Sequence, residues 1–309
     1  MALTRIVIKN IITKLLARED YRIEVITLIN GDFLQYAIDF FKRIVDAKLK
    51  DKDLDLDWYK ENFVENSLID VKERAIYAGI NKKTIYNMHG TATRQVVIDA
   101  ATENYEHLSA AINTLIEEEK DLDLTLTIKF KKLSVDLTLN ESLLVINALA
   151  VKRLELTGGY WAKAGKRVER PLMLTLCKLF QVPESYYSSL PNGSFYRYIE
   201  ITRQIDFYIN NGSGTYYKCE VKLMGKGNPE SADAAFARDT KIFVADTLSK
   251  KNVAQLNGAS IEYVELRRNE GFKRFAKVLM HKDIPFTDFE GKLDEVLPGI
   301  FTEIFGENI

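Results

Sequence analysis

The segment "RQIDFYINNGSGTYYKCEVK" (residues 203–222) decides how the second half of the chain folds. Residues rich in β-branched and aromatic side chains flank an Asn- and Gly-rich turn, which is the pattern of a β-hairpin. Because successive side chains of a strand point to opposite faces, Glu220 and Lys222 share one face while Cys219 and Val221 share the other. The segment therefore predicts a hairpin with one charged and one apolar face.

The charged face of this hairpin is a candidate catalytic site. If the turn has an odd number of residues, Asp206 lies on the same face as Glu220 and Lys222, diagonal to Glu220. Two carboxylates at that spacing can bind one Mg²⁺, which prefers oxygen ligands. The Lys222 ammonium can then hold a water molecule or offset charge on a phosphate. The alternative is an amphipathic hairpin with cross-strand ion pairs, such as Asp206 with Lys218.

The sequences on either side of the hairpin favour the catalytic interpretation. Upstream, "GKRVERPLMLTLCKLF" (residues 165–180) predicts a helix that begins near Glu169, with Pro171 in its first turn. The Glu169 carboxylate is either a further metal ligand or an acidic residue favoured by the helix dipole. Downstream, the order helix, strand, helix, strand predicts a mixed sheet with helices on its faces.

A helix with a glutamate, then "RQIDFYI", a tight turn, "KCEVK" and an α-β-α-β tail resembles the core of the PD-(D/E)xK nucleases. The run "VKLMGKGNPESADAAFARDTKIFVADTLS" (residues 221–249) is similar to type II restriction endonucleases of the CfrBI group. The resemblance implies that Asp206, Glu220 and Lys222 are catalytic. It also implies that Glu169 is an additional helix carboxylate, and that Asp206, Glu220 and Glu169 bind Mg²⁺.

One position departs from the pattern of these nucleases. Ile205 stands where a proline commonly precedes the catalytic Asp, at a place that varies widely among them. The resemblance implies a Mg²⁺-dependent endonuclease that cuts double-stranded DNA at specific sequences.

The 309-residue chain divides into two parts of different character. Residues 1–120 are predicted to form a helical domain, because apolar residues recur at intervals of three and four. Strict alternation begins at Leu122, so residues 121–309 are assigned to the catalytic domain, with the boundary near residue 120. The predicted fold class is α/β (α+β), a PD-(D/E)xK-type mixed central sheet flanked by helices, with a helical N-terminal region.

The helical part contains a candidate helix-turn-helix, "VKERAIYAGINKKTIYNMHG" (residues 71–90). Ala75, Gly79 and Ile85 stand where such a unit needs a small residue, a turn glycine and a buried aliphatic. The alternative is an ordinary helix corner. If the unit reads DNA, its second helix exposes side chains that contact phosphates and base edges. These side chains are Asn81, Lys82, Lys83, Thr84, Tyr86 and Asn87, followed by Arg94.

A second basic stretch, "GGYWAKAGKRVER" (residues 158–170), is another candidate for phosphate contact. Its cations are Lys163, Lys166, Arg167 and Arg170. The alternative is a solvated basic loop. Lys226, between two glycines after the hairpin, completes the candidate DNA contacts.

Composition excludes several other classes of protein. A formal net charge of −1 gives no argument for nucleic-acid binding from bulk charge, although local basic clusters remain compatible with it. No apolar run is long enough for a membrane helix, and "MALTRIVIKN" is not a signal peptide. Two cysteines and three scattered histidines lack zinc-site spacing and fit a reducing cytoplasm.

The expected partners follow from this assignment. The substrate is double-stranded DNA, and a homodimer is expected because cutting a palindrome requires two active sites related by a two-fold axis. A cognate DNA methyltransferase is expected in the same system without direct contact, and no membrane is involved. Two alternatives stay open: a structure-selective repair or recombination nuclease with the same core, and a non-enzymatic helix-turn-helix DNA-binding protein.

Overall fold

A computed structural model describes the chain in segments. The described residues are 2–50, 55–119, 125–130, 133–158, 160–188, 207–223, 239–268 and 270–306. Contacts group the chain into two compact units: the sheet unit, Met1–Leu28 with Tyr160–Ile309, and the helical unit, Ile29–Gly159. These divisions differ from the boundary predicted near residue 120. The hairpin and helix that follow residue 120 fall in the helical unit because that helix packs against earlier helices of the same unit.

The helical unit begins inside a long helix and ends with a short hairpin and one more helix. Its elements are α2 (Arg22–Lys50), α3 (Leu56–Tyr59) with a π-helical turn (Lys60–Val64), α4 (Val71–Tyr77), α5 (Lys82–His89), α6 (Arg94–Glu118), β1 (Leu126–Phe130), β2 (Leu133–Leu137) and α7 (Leu139–Thr157). The two strands pair antiparallel.

Aromatic side chains form the centre of the helical unit. Phe40 of α2 stacks on Tyr77 of α4 with ring centroids 5.0 Å apart, and Phe63 meets the Tyr77 ring edge-on at 5.2 Å. Tyr59 stacks on both Phe63 and Tyr105. Such ring pairs add about 0.5–1.5 kcal/mol each beyond the area that they bury. This cluster holds α4 in place, and α5 follows α4 directly.

The segment between α4 and α5 has the turn that its sequence predicts. Gly79 has φ +87°, a conformation that costs a residue with a Cβ atom, and Ala75 and Ile85 on either side are fully buried. The carbonyl oxygen of Ala78 accepts a hydrogen bond from Asn104 Nδ2 at 2.7 Å. Two helices and a glycine turn therefore lie where the pattern places them, and their contact with DNA stays a prediction.

The sheet unit combines helices with a mixed β-sheet. Its elements are α1 (Ala2–Leu16), α8 (Tyr160–Leu179), a 3₁₀ turn (Glu184–Tyr186), β3 (Tyr187–Ser188), β4 (Phe207–Asn210), β5 (Tyr216–Lys222), β6 (Ile242–Ala245), α9 (Lys250–Gly258), β7 (Glu262–Glu265), a second 3₁₀ turn (Gly271–Lys273), α10 (Arg274–His281) and α11 (Leu293–Phe305).

The five strands lie in the order β3-β4-β5-β6-β7. The pairs β3/β4 and β4/β5 are antiparallel, whereas β5/β6 and β6/β7 are parallel. All four residues of β6 are buried, as is typical of a parallel strand that is covered on both faces. The predicted fold class, α/β (α+β) with a mixed sheet and flanking helices, is confirmed.

The turn between β4 and β5 has an odd number of residues, as the predicted catalytic arrangement requires. Five residues, 211–215, separate the two strands, and Tyr208 pairs with Lys218. The polar faces of both strands therefore lie on the same side of the sheet. At the turn, Gly212 has φ +76°, and a Cβ atom there would lie 3.0 Å from the Tyr186 hydroxyl oxygen.

The predicted start of the helix near Glu169 is wrong. Helix α8 begins at Tyr160, so Pro171 lies in its interior rather than in its first turn. Buried Ala164 and Val168 extend the apolar face of the helix one turn further towards its start. Packing of this face outweighs the backbone hydrogen bond that proline cannot donate.

Gly79 and Gly90 provide a matched test of the turn before α5. Gly90 has φ +69° with open space where a Cβ atom would stand, whereas a Cβ atom on Gly79 would lie 2.6 Å from Asn147 Nδ2. We expect Gly90→Ala to lower the free energy of unfolding by roughly 1–2 kcal/mol, which is the backbone cost. Gly79→Ala should cost about 1 kcal/mol more, at the low end of overpacking costs, because the atom that must move is the end of the Asn147 side chain. Urea denaturation measures both, and equal losses would contradict the steric argument.

Candidate active site

Helix α8 and strand β5 bring three of the predicted catalytic residues together. Lys222 Nζ lies 3.0 Å from Glu220 Oε1 and 3.7 Å from Glu169 Oε1. Two of these residues are neighbours on one strand, but Glu169 is far away from them in sequence. The tertiary fold therefore assembles this charged cluster, named here the acid–lysine cluster (Glu169, Glu220 and Lys222).

The amphipathic pattern of α8 places Glu169 in the interior. Ala164, Val168 and Leu172 recur at intervals of four and are buried, and α8 packs against β5. Glu169 follows Val168 on this face and is only 6% exposed. The cations predicted to contact phosphate lie on the exposed side of the same helix. They are Lys166, Arg167 and Arg170.

Strand β5 places Glu220 at the centre of the sheet. It is the middle strand of five, and Glu220 is 1% exposed. On the other face of the strand, Cys219 and Val221 are fully buried, as the alternation of side chains predicts. Lys222 ends the strand with its side chain 25% exposed. The acid–lysine cluster is therefore reached from solvent at the Lys222 end.

The burial of two carboxylates is costly unless cations and hydrogen bonds compensate it. Lys222 provides one ammonium within ion-pair distance of both Glu220 and Glu169. Two carboxylates against one ammonium give these three side chains a formal charge of −1. Carboxylate oxygens are also the ligands that Mg²⁺ and Ca²⁺ prefer, so the donor set fits a divalent cation.

The remaining predicted ligand, Asp206, lies outside the described residues, as does Lys226. In the parts of the chain that the structure describes, no group of three His, Cys, Asp or Glu residues is arranged to hold a metal ion. The described ladder begins at Phe207, paired with Cys219. The place of Asp206 beside Glu220 stays a prediction.

Two other reactive groups among the described residues of the sheet unit, Cys177 and Tyr21, are held in their protonated forms. Burial raises the pKa of the Cys177 thiol on α8, so it remains protonated and is not a thiolate nucleophile. Tyr21 donates a hydrogen bond to Asp246 Oδ2 at 2.9 Å. Burial, and then the Asp246 carboxylate, raise the pKa of Tyr21, so its hydroxyl remains a donor.

In the helical unit, most of the side chains predicted to contact DNA are exposed to solvent. Those that are exposed on α5 and at the start of α6 are Lys82, Lys83, Thr84, Tyr86, Asn87 and Arg94. Lys163, the remaining cation of the basic stretch 158–170, lies in α8 of the sheet unit.

Asn81 has a structural role at the start of α5. Its Oδ1 accepts hydrogen bonds from Thr84 N at 3.0 Å and from Thr84 Oγ1 at 3.2 Å, which makes it the N-cap of the helix. Bidentate pairing of an asparagine with adenine also requires this oxygen. The cap and base reading therefore compete for the same atom.

Sequence reasoning missed one basic residue near these side chains. A cleft of about 530 Å³ is lined by Lys72 as well as by the predicted contacts Lys82 and Arg94. Lys72 lies within the candidate helix-turn-helix segment, but the first helix of such a unit gave no reason to select it. Lys72 can be selected only from the folded structure, in which the starts of three helices meet at one cleft.

None of the helices in the described segments is long and apolar enough to cross a membrane.

The family model of the CfrBI restriction endonuclease matches residues 5–253. No curated protein and no solved structure is significantly similar to the chain. The matched region includes the acid–lysine cluster and the α4–α5 segment. It covers well over half of the 309 residues, so the similarity seen in residues 221–249 extends across both units. The chain belongs to the CfrBI restriction endonuclease family.

Proposed function

We propose that the protein is a type II restriction endonuclease that uses Mg²⁺ to hydrolyse phosphodiester bonds at a specific sequence in double-stranded DNA. Membership of a restriction endonuclease family makes it a hydrolytic nuclease with DNA as its substrate. The observation that carries the finer proposal is that the carboxylates of Glu169 and Glu220 converge on the ammonium of Lys222. A helix carboxylate, a strand carboxylate and a lysine are the set that the resemblance to PD-(D/E)xK nucleases implies.

Glu220, Glu169 and Asp206 are the proposed ligands of the metal. Mg²⁺ is commonly held by one or two carboxylates together with water and substrate phosphate, so the two buried acids already fit it. When bound, Mg²⁺ supplies a lowered pKa for the attacking water and offsets charge on the phosphate. The near-complete burial of Glu220 fixes the direction of its carboxylate before substrate arrives.

Lys222 acts as a hydrogen-bond donor in this proposal. An ammonium has three N–H donors and no acceptor, so it orients the attacking water or a phosphate oxygen rather than removing a proton. Glu220 Oε1, 3.0 Å from Nζ, restrains the side chain from within the same strand. The partial exposure of Lys222 leaves it accessible to substrate.

The exposed face of α5 is the proposed DNA-reading surface, with phosphate contacts from Lys82, Lys83 and Arg94. Asn87 is exposed and is not the cap of the helix, so its amide is the proposed partner of an adenine edge. The basic side of α8 is proposed to add phosphate contacts.

The assembly and biological context follow from the same proposal. Cleavage of both strands of a palindrome requires two acid–lysine clusters related by a two-fold axis, so we expect a homodimer. A cognate DNA methyltransferase is expected to protect the same sequence in the cytoplasm of the host cell.

The substitution Lys222→Met tests the catalytic role of the lysine. We expect cleavage to slow by about 10²–10³-fold, because one positioned donor at the reacting phosphate is lost. The assay is digestion of unmethylated phage DNA with Mg²⁺, read as discrete fragments on a gel, with duplex affinity measured in parallel. Affinity should stay within about threefold, since a single contact near the scissile phosphate is a small part of binding.

The matched control is Lys218→Met, on the same face of the same strand but outside the acid–lysine cluster. It should cleave at the wild-type rate. Cleavage by Lys222→Met at the wild-type rate would contradict the proposed catalytic role of Lys222. A metal-dependent smear from the wild type would instead favour the structure-selective nuclease over a sequence-specific one.

The two asparagines of the α5 segment separate base reading from helix capping. Asn87→Ala is expected to reduce discrimination between the recognised site and a site with one changed A·T pair by roughly 1–3 kcal/mol. Asn81→Ser keeps a capping side chain, so it should preserve both stability and discrimination. Competition binding with the two duplexes measures the effect. Loss of discrimination in Asn81→Ser alone would reverse the assignment.

A further inference from the structure

A cleft of about 530 Å³ opens on the helical unit, and the acid–lysine cluster has no part in it. It is named here the basic cleft and is lined by residues 67–72 with Lys82, Ala92, Arg94 and Val97. One wall is the loop that leads into α4, and the other is formed by the starts of α5 and α6. All of its lining belongs to one compact unit.

Charge in the basic cleft is strongly unbalanced. Lys72, Lys82 and Arg94 line it together with one carboxylate, Asp70. That carboxylate is engaged as the N-cap of α4, where Asp70 Oδ1 accepts a hydrogen bond from Lys72 N at 2.9 Å. The lining therefore has a formal charge of +2 in a chain whose formal net charge is −1.

The cations of the basic cleft are exposed to solvent. Within the segments that the structure describes, Lys72, Lys82 and Arg94 form no salt bridge. Elsewhere in the helical unit, cations are commonly paired: Arg43 Nη1 lies 3.0 Å from Glu73, and Lys60 Nζ lies 3.1 Å from Glu106. Three exposed cations that form no salt bridge among the described residues, at one concave surface, favour an anion as the ligand of the cleft.

The apolar residues that line the basic cleft indicate which class of anion it binds. Leu68, in the loop before α4, is 93% exposed, the most exposed large apolar side chain in the described part of the chain. Ile69, Val71 and Ala92 beside it are only partly buried. A small inorganic anion has no apolar groups that could pack against this surface. A nucleic-acid backbone alternates phosphates with deoxyribose rings, which present C–H groups to an apolar contact.

We propose that the basic cleft receives a backbone phosphate and the adjoining deoxyribose of duplex DNA. Lys72, Lys82 and Arg94 contact the phosphate, and Leu68 packs against the sugar. The inference rests on the proposed function for the identity of the ligand, since DNA is the substrate of a nuclease. It adds Lys72 and Leu68 to the DNA-contacting residues and assigns them a role in positioning rather than in reading sequence.

The test is the salt dependence of duplex binding by the full-length protein. Fluorescence anisotropy with a labelled duplex of about 30 base pairs, in EDTA to prevent cleavage, gives the affinity between about 50 and 200 mM KCl. Lys72→Ala should reduce the slope of log affinity against log salt by about 0.9, the value for one lost phosphate contact. The matched control is Lys42→Ala, which removes an exposed lysine of α2 that pairs with Asp39. Its slope should equal that of the wild type.

Leu68→Ser provides the apolar arm of the same experiment. It should weaken duplex binding several-fold with an unchanged salt slope, because no charge is removed. Lys72 and Leu68 are both exposed, so thermal unfolding of each variant should match the wild type. Unchanged affinity in Leu68→Ser would overturn the contact with the sugar.

The outcomes distinguish this inference from the proposed activity. If the wild type cleaves DNA and Lys72→Ala keeps the wild-type slope, the nuclease stands and the basic cleft is not a DNA contact. If the Lys72→Ala slope falls but Mg²⁺ and Mn²⁺ support no cleavage, the basic cleft stands and the proposed activity fails. A wild type that binds no duplex overturns both. Lys72-dependent binding of a deoxynucleoside 5′-monophosphate, with unchanged duplex binding, would assign the cleft to a small nucleotide instead.

Discussion

The ammonium of Lys222 between two buried carboxylates is the interaction on which the arrangement of the candidate active site depends. Glu220 and Glu169 are almost fully withdrawn from water, and Lys222 lies 3.0 Å and 3.7 Å from their oxygens. Burying two carboxylates so completely is costly unless partners compensate it, and the Lys222 ammonium is within ion-pair distance of both. Replacing buried ion pairs by apolar side chains of similar volume is often neutral or stabilising, so stability alone does not require these charges. Charged groups that are costly to bury are candidates for a functional role, and catalysis is the role proposed for these three side chains.

The architecture of the sheet explains how two distant parts of the sequence supply one cluster. Strand β5 is antiparallel to β4 and parallel to β6, so it occupies the centre of the sheet with neighbours on both edges. Its residues Cys219 to Val221 are buried, and Lys222 at its end is partly open. Helix α8 covers this strand with a face that includes Glu169. Burial fixes the acids, and the end of the strand provides access.

The sequence predicted the local features of this site better than the long-range ones. Period-two alternation was sufficient to place Glu220 and Lys222 on one face, and the five-residue turn supplied the register that the prediction required. The periodicity of the sequence did not predict that Glu169 lies beside strand β5. The resemblance to nucleases suggested that contact. The start of α8 was predicted wrongly because Pro171 was given more weight than the apolar face that continues before it. Lys72 was missed because a cleft exists only once three helix starts are brought together.

The separation of charge within the chain reconciles a slightly negative net charge with a DNA substrate. In the proposed mechanism the carboxylates of the acid–lysine cluster repel the phosphate of the DNA, so binding energy has to come from cations placed elsewhere. Lys72, Lys82 and Arg94 are the cations proposed for that purpose, because they are exposed and outnumber the one carboxylate, Asp70, in the lining of the basic cleft. The formal charge of −1 is a sum over buried acids, paired surface ions and such cations. The net charge is therefore no argument against a DNA substrate, because a total carries no information about where the charges lie.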